Sequence, residues 1–131
     1  DKIEPTIAIP EGIKFIGIDS GVRHSVSGAS YTDVRCAAFM GYSIIAQLLG
    51  TPVVALQKAK ERNDFSSLPY QGFLCNIPVE KFEKTFVAAL PQQISGEAFI
   101  SKYKLSTDSV TQIIPEKTYA IRQCALHPVY E

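Results

Sequence analysis

The sequence predicts an α+β fold of few strands and about three helices. Three observations point there. Ile13-Lys14-Phe15-Ile16-Gly17-Ile18 is β-branched and aromatic, is bounded by Gly12 and Ser20-Gly21, and reads as a strand. Val34, Ala37, Ala38, Gly41, Ile45 and Leu48 recur at three- and four-residue spacing, which places them on one helix face. Val79, Phe82, Phe86 and Leu90 repeat the same spacing further on.

Along the chain, residues 1–12 carry Pro5 and Pro10, which confine them to an edge strand or loop. The strand over 13–18 is apolar on both faces, so both faces are expected to be covered. Residues 22–27 read as a second extended segment, and Ser27-Gly28-Ala29-Ser30 as a tight bend of small residues. Ser30 is the expected N-cap of the long helix, with Asp33 completing a capping-box-like pair. Gly50 and Pro52 end that helix, and Gly41 in its middle suggests a close helix–strand contact. Residues 53–60 are compatible with a helix, 63–72 read as loop, and 73–77 form a short apolar segment. Pro78 is expected to open the next helix and Pro91 to close it. Ser95 with Glu97 and Ala98 starts a short helix that sets Phe99 and Tyr103 on one face. Residues 109–114 have strand character; 118–125 read as strand or as a helix entry.

With 131 residues the chain suits a single domain, and its 13 basic and 13 acidic side chains give no net charge. Such a surface has no field to gather nucleic acid or an anionic membrane, so neither is expected as a partner. A hydrophobic content of 46% and a charged content of 20% exclude a disordered chain. No apolar run approaches the ~18–20 residues that span a bilayer. Cys36, Cys75 and Cys124 are widely spaced and lack any zinc-ligand pattern, which fits buried thiols and a cytoplasmic setting. The chain opens at Asp1, carries Met40 as its one methionine and stops at Tyr130-Glu131; a piece of a longer polypeptide is the expectation.

Chemistry concentrates between residues 19 and 31, where Asp19, Arg23, His24, four serines and Tyr31 join a predicted strand to a predicted helix. A Ser/His/Asp hydrolase does not fit, because His24 and Ser25 are neighbours and no GxSxG elbow exists. Asp19 and Asp33 are too few to complete a metal site with His24. His24 and His127 read as ordinary solvated or hydrogen-bonded histidines, and Lys58, Lys60 and Arg62 as a solvated face interrupted by Glu61.

Val22-Arg23-His24-Ser25-Val26, then Tyr31, then Val34-Arg35 resembles an internal segment of galactokinases and related sugar kinases of the GHMP superfamily. Tyr119-Ala120-Ile121-Arg122 and His127-Pro128-Val129-Tyr130-Glu131 are similar to the stretch where those kinases re-enter their C-terminal helices. Phe73-Leu74-Cys75-Asn76 and Tyr103 resemble the longer, arabinokinase-like members. The resemblance spans residues 13–131 and implies an incomplete portion of the kinase fold, at the junction of its N- and C-terminal domains. It implies that Tyr31 contacts the sugar with its ring and hydroxyl, that Arg23 stands in the same substrate-binding wall near the catalytic carboxylate, which it orients or screens, and that Ser25 is a supporting hydroxyl. The family's ATP-phosphate loop and its catalytic aspartate in a glycine-rich context are absent, and Asp19 does not replace that aspartate. The resemblance therefore implies a parent enzyme that uses ATP and Mg²⁺ to phosphorylate a galactose- or arabinose-type monosaccharide. It implies no catalytic residue in this chain, which is expected to be inactive alone and to bind neither cofactor. Such a piece is expected to dock on the remainder of the kinase or to self-associate. The alternative is a stand-alone, non-catalytic binding or interaction module derived from that fold.

Overall fold

A computed structural model describes residues 8, 10–19, 21 and 29–131. Among them are five α-helices and one two-stranded antiparallel sheet, an α+β arrangement with few strands. The helices are α1 (Ala29–Leu48), α2 (Val53–Arg62), α3 (Val79–Lys81), α4 (Gly96–Tyr103) and α5 (Ile121–Tyr130). The strands are β1 (Ile94–Ser95) and β2 (Thr118–Tyr119), paired Ile94 to Tyr119 and Ser95 to Thr118.

The long apolar helix forms as α1 and becomes the centre of the molecule. Ala37, Gly41 and Ile45 of the expected stripe are buried, whereas Val34 and Leu48 at its ends are exposed. Residues 40–46 are buried on every side, because α5, α4 and β2 pack around this stretch. Gly41 does mark a close approach, but to a helix: a Cβ there would lie 3.0 Å from the Ala125 Cβ of α5. α1 already begins at Ala29, so Ser30 lies inside the helix and not at its cap. The Asp33 carboxylate takes the Lys117 ammonium at 2.6 and 2.7 Å. At the other end Gly50, with φ +88°, sends its N–H to Gln47 while the Thr51 N–H reaches Ala46, a Schellman closure. Asn63, in the left-handed region, closes α2 in the same way through Ala59 and Lys60.

Two expected strands do not form. Residues 13–18 form no ladder among the described residues, and their apolar side chains are bare, Phe15 at 79% and Ile18 at 88% exposure. Neither face is covered. Strand propensity reflects fit to a neighbouring strand, and no described residue supplies one. Residues 109–114 also stay irregular. Asp108 accepts from the N–H of Val110 at 3.1 Å and of Thr111 at 3.2 Å, so those donors serve a side-chain turn and not a ladder. The sheet forms instead from Ile94–Ser95 and Thr118–Tyr119, on either side of that turn.

The remaining elements follow their local signals. Pro78 lies just before α3, which runs on as a single π-turn over Phe82–Phe86, and Phe82, Phe86 and Leu90 enter the core. Past Leu90, the Arg122 side chain caps the exit by donating to the Leu90 carbonyl at 3.0 and 2.7 Å. Ser95 caps α4 by accepting from the Ala98 N–H at 3.2 Å, and Phe99 and Tyr103 lie with ring centroids 5.3 Å apart. The 118–125 stretch is both things at once: β2, then the first turn of α5, in which Pro128 is accommodated. No helix among the described residues is long and apolar enough to cross a membrane.

Candidate functional site

Among the described residues a cleft of about 480 Å³ lies between α1, the short 3₁₀ turns around Gly72 and Leu74, and α5. α1 supplies Tyr31, Val34, Arg35, Ala38, Phe39 and Tyr42 to one wall at helical spacing. Phe73, Leu74 and Cys75 form the facing wall, and Cys124, His127 and Pro128 close one end. The floor is apolar. The polar groups stand at the rim, on the N-terminal turns of α1 and at His127.

Tyr31 is therefore placed where a bound molecule would meet it, with 46% of its surface open. Arg23 and Ser25, the other expected site residues, lie outside the described residues, as does His24. His127 stands at the cleft with its Nε2 3.5 Å from the Glu131 carboxylate. Among the thiols, Cys36 is buried, Cys124 is half-buried and Cys75 is exposed, so the expectation of buried thiols fails for Cys75. Burial pushes the Cys36 and Cys124 thiols up from their ordinary pKa, away from the reactive thiolate.

Sequence reasoning passed over the strongest polar feature of the cleft. Arg35 donates from Nε to Asp108 Oδ2 at 3.0 Å and from Nη2 to Asp108 Oδ1 at 2.9 Å, a bidentate pair bridging 73 positions of chain. The Asp108 side chain is 1% exposed and that of Arg35 is 32% exposed. Asp108 also accepts from the Thr111 hydroxyl at 2.5 Å. Burial pushes the Asp108 carboxyl up, but the Arg35 guanidinium, the Thr111 hydroxyl and the Val110 N–H outweigh it and hold the group below its ordinary range. The hydrogen bonds to Asp108 hold Arg35 above its ordinary pKa against its partial burial, and the Tyr31 hydroxyl one turn back adds to that shift. The guanidinium also lies 5.0 Å from the centroid of the Phe39 ring. An Asp followed three residues later by a Thr is a turn signal, and it was the clue at Asp108. Nothing local marks Arg35 as its partner.

Deeper in the cleft, Tyr42 donates to the Pro69 carbonyl at 2.7 Å, and burial pushes its phenol up to about 12. This bond ties α1 to the loop that carries the facing wall.

The chain is 32% identical over 136 residues to the L-arabinokinase of Arabidopsis thaliana, an alignment covering 95% of this chain. The chain spans 13% of the length of that relative. No family model matches the chain, and no solved structure does.

Proposed function

We propose that this chain is part of an ATP-dependent monosaccharide kinase of the GHMP type and supplies one wall of its sugar pocket through Tyr31 and Arg23, with Ser25 in support. The observation that carries the reading is the similarity to L-arabinokinase along 95% of the chain. The position of Tyr31 at the rim of the cleft supports it. Sugars are held by aromatic faces and by dense hydrogen-bonding groups, and Tyr31 offers a ring and a hydroxyl in one side chain.

In this reading the nucleotide and Mg²⁺ are bound by other parts of the kinase. The cleft lining contains no carboxylate, and no three His, Cys, Asp or Glu side chains among the described residues stand together. The acid that serves the anomeric hydroxyl is likewise proposed to lie elsewhere in the kinase. In this reading Tyr31 orients the sugar. Phosphoryl transfer is governed by positioning and by charge stabilisation, so a wall that fixes the acceptor serves the reaction without touching the phosphate.

Two measurements test this. In the kinase that contains the chain, Tyr31→Ala is expected to raise the sugar KM by about 10- to 100-fold, as loss of a ring contact and a hydrogen bond predicts, with the ATP KM unchanged. Equal effects on both substrates would remove Tyr31 from the sugar site. Calorimetry on the 131-residue chain alone is expected to show no saturable heat with millimolar ATP. Clear saturation would place a nucleotide site within it.

A further inference from the structure

We propose that Arg35 is a second sugar-contacting residue of the cleft, and that its buried partner Asp108 makes it select a neutral sugar over an anionic one. The inference rests on reading the cleft as a sugar site and adds to it the residue that sets the charge of the acceptor.

Tyr31 and Arg35 are one turn apart on α1, and both line the cleft. A guanidinium has five N–H donors, of which Asp108 takes two, leaving three for other partners. The bidentate contact on one edge and the Phe39 ring against the guanidinium restrain those donors before any ligand arrives, so little side-chain entropy is lost on binding. Asp108 is itself held by the Val110 and Thr111 N–H groups and by the Thr111 hydroxyl, so the arginine has a rigid base.

Charge decides the selectivity. The Asp108 carboxylate behind it compensates Arg35, and among the described residues the cleft lining holds no acid and no lysine. A sugar hydroxyl needs a donor and no net charge. A carboxylate or phosphate on the sugar would give up its hydration against an apolar floor and meet a cation that is already paired. The pair thus presents hydrogen-bond donors without offering an ion site.

The test is steady-state kinetics of the kinase containing this chain, with L-arabinose and galacturonic acid as the neutral and anionic probes. Arg35→Lys keeps a cation beside Asp108 and removes the fork. Its sugar KM is expected to rise about tenfold, with the ATP KM and the melting temperature close to wild type. Asp108→Asn frees the guanidinium, and the preference for L-arabinose over galacturonic acid in kcat/KM is expected to fall at least about tenfold. A merely structural pair would lower stability and leave that ratio unchanged. An unaltered sugar KM in Arg35→Lys, or an unaltered ratio in a folded Asp108→Asn, overturns the proposal. If Asp108→Asn does not fold, the Arg35→Lys sugar KM decides alone. A raised sugar KM in Tyr31→Ala together with a wild-type one in Arg35→Lys would leave the sugar-wall reading standing and remove this one. A wild-type protein that phosphorylates none of L-arabinose, galactose and galacturonic acid would remove both.

Discussion

Gly96→Ala is expected to cost about 3 kcal/mol or more, the upper range for forcing atoms into a packed site. A Cβ at this position would lie 2.2 Å from the Ile114 carbonyl oxygen and 2.8 Å from its carbon, with the Ile113 Cγ2 at 3.0 Å. The obstacle is backbone, so no rotamer change relieves it. The backbone on both sides is pinned as well, by Gly96 N–H to Lys117 at 2.8 Å and Glu97 N–H to Pro115 at 3.0 Å. Relief therefore requires opening the junction of β1, β2 and α4 or shifting α4 off α1. Urea denaturation of the chain checks this by a lower midpoint. Gly17→Ala is the control: nothing lies within 4 Å of its added methyl, and the midpoint should hold. Equal midpoints for the two variants would show that the 94–119 region is not closed against Gly96.

Asp108→Ala is expected to cost about 3 kcal/mol, the lower end for breaking a buried pair, because Arg35 keeps some access to water. The loss combines an uncompensated guanidinium with three donors, from Val110 and Thr111, that lose their acceptor. The same carboxylate makes the fold acid-sensitive. Its folded pKa is lowered, so its contribution is complete above the ordinary 3.8 and is lost as pH falls through the lower folded value. Melting temperature followed from pH 7 downward should therefore drop more steeply below about pH 4 in the wild type than in Asp108→Ala. Parallel curves would mean that Asp108 does not carry the acid response.

The contrast between α1 and residues 13–18 shows how much of this fold is legible along the chain. Both segments carry strong local patterns. A helix makes its hydrogen bonds within its own residues, and its punctuation is local too: Gly50 closes α1 and Ser95 opens α4 as their residue types predict. A strand needs a second strand from elsewhere, so the pattern over 13–18 states a capacity that no described residue fulfils. Residues 109–114 fail differently. Their strand character is real, but Asp108 claims their N–H groups, and Asp108 is held there by Arg35 from the far end of the chain. The site divides along the same line. Tyr31 was singled out by the motif around it and does line the cleft, whereas Asp108 came to stand behind Arg35 only once the chain had folded onto α1.

By itself, the sequence determined where most helices run and stop, the neutral charge of the chain, and the segment that resembles sugar kinases. Those properties depend on composition and on contacts within a few residues. Only the tertiary structure decided that residues 40–46 of α1 are buried on every side, that Gly41 meets a helix and not a strand, that Asp33 pairs with Lys117, and that Arg35 is paired and neutralised at the rim of the cleft. Each of these joins residues distant in sequence, and such pairings are selected by packing and desolvation, which no local pattern encodes.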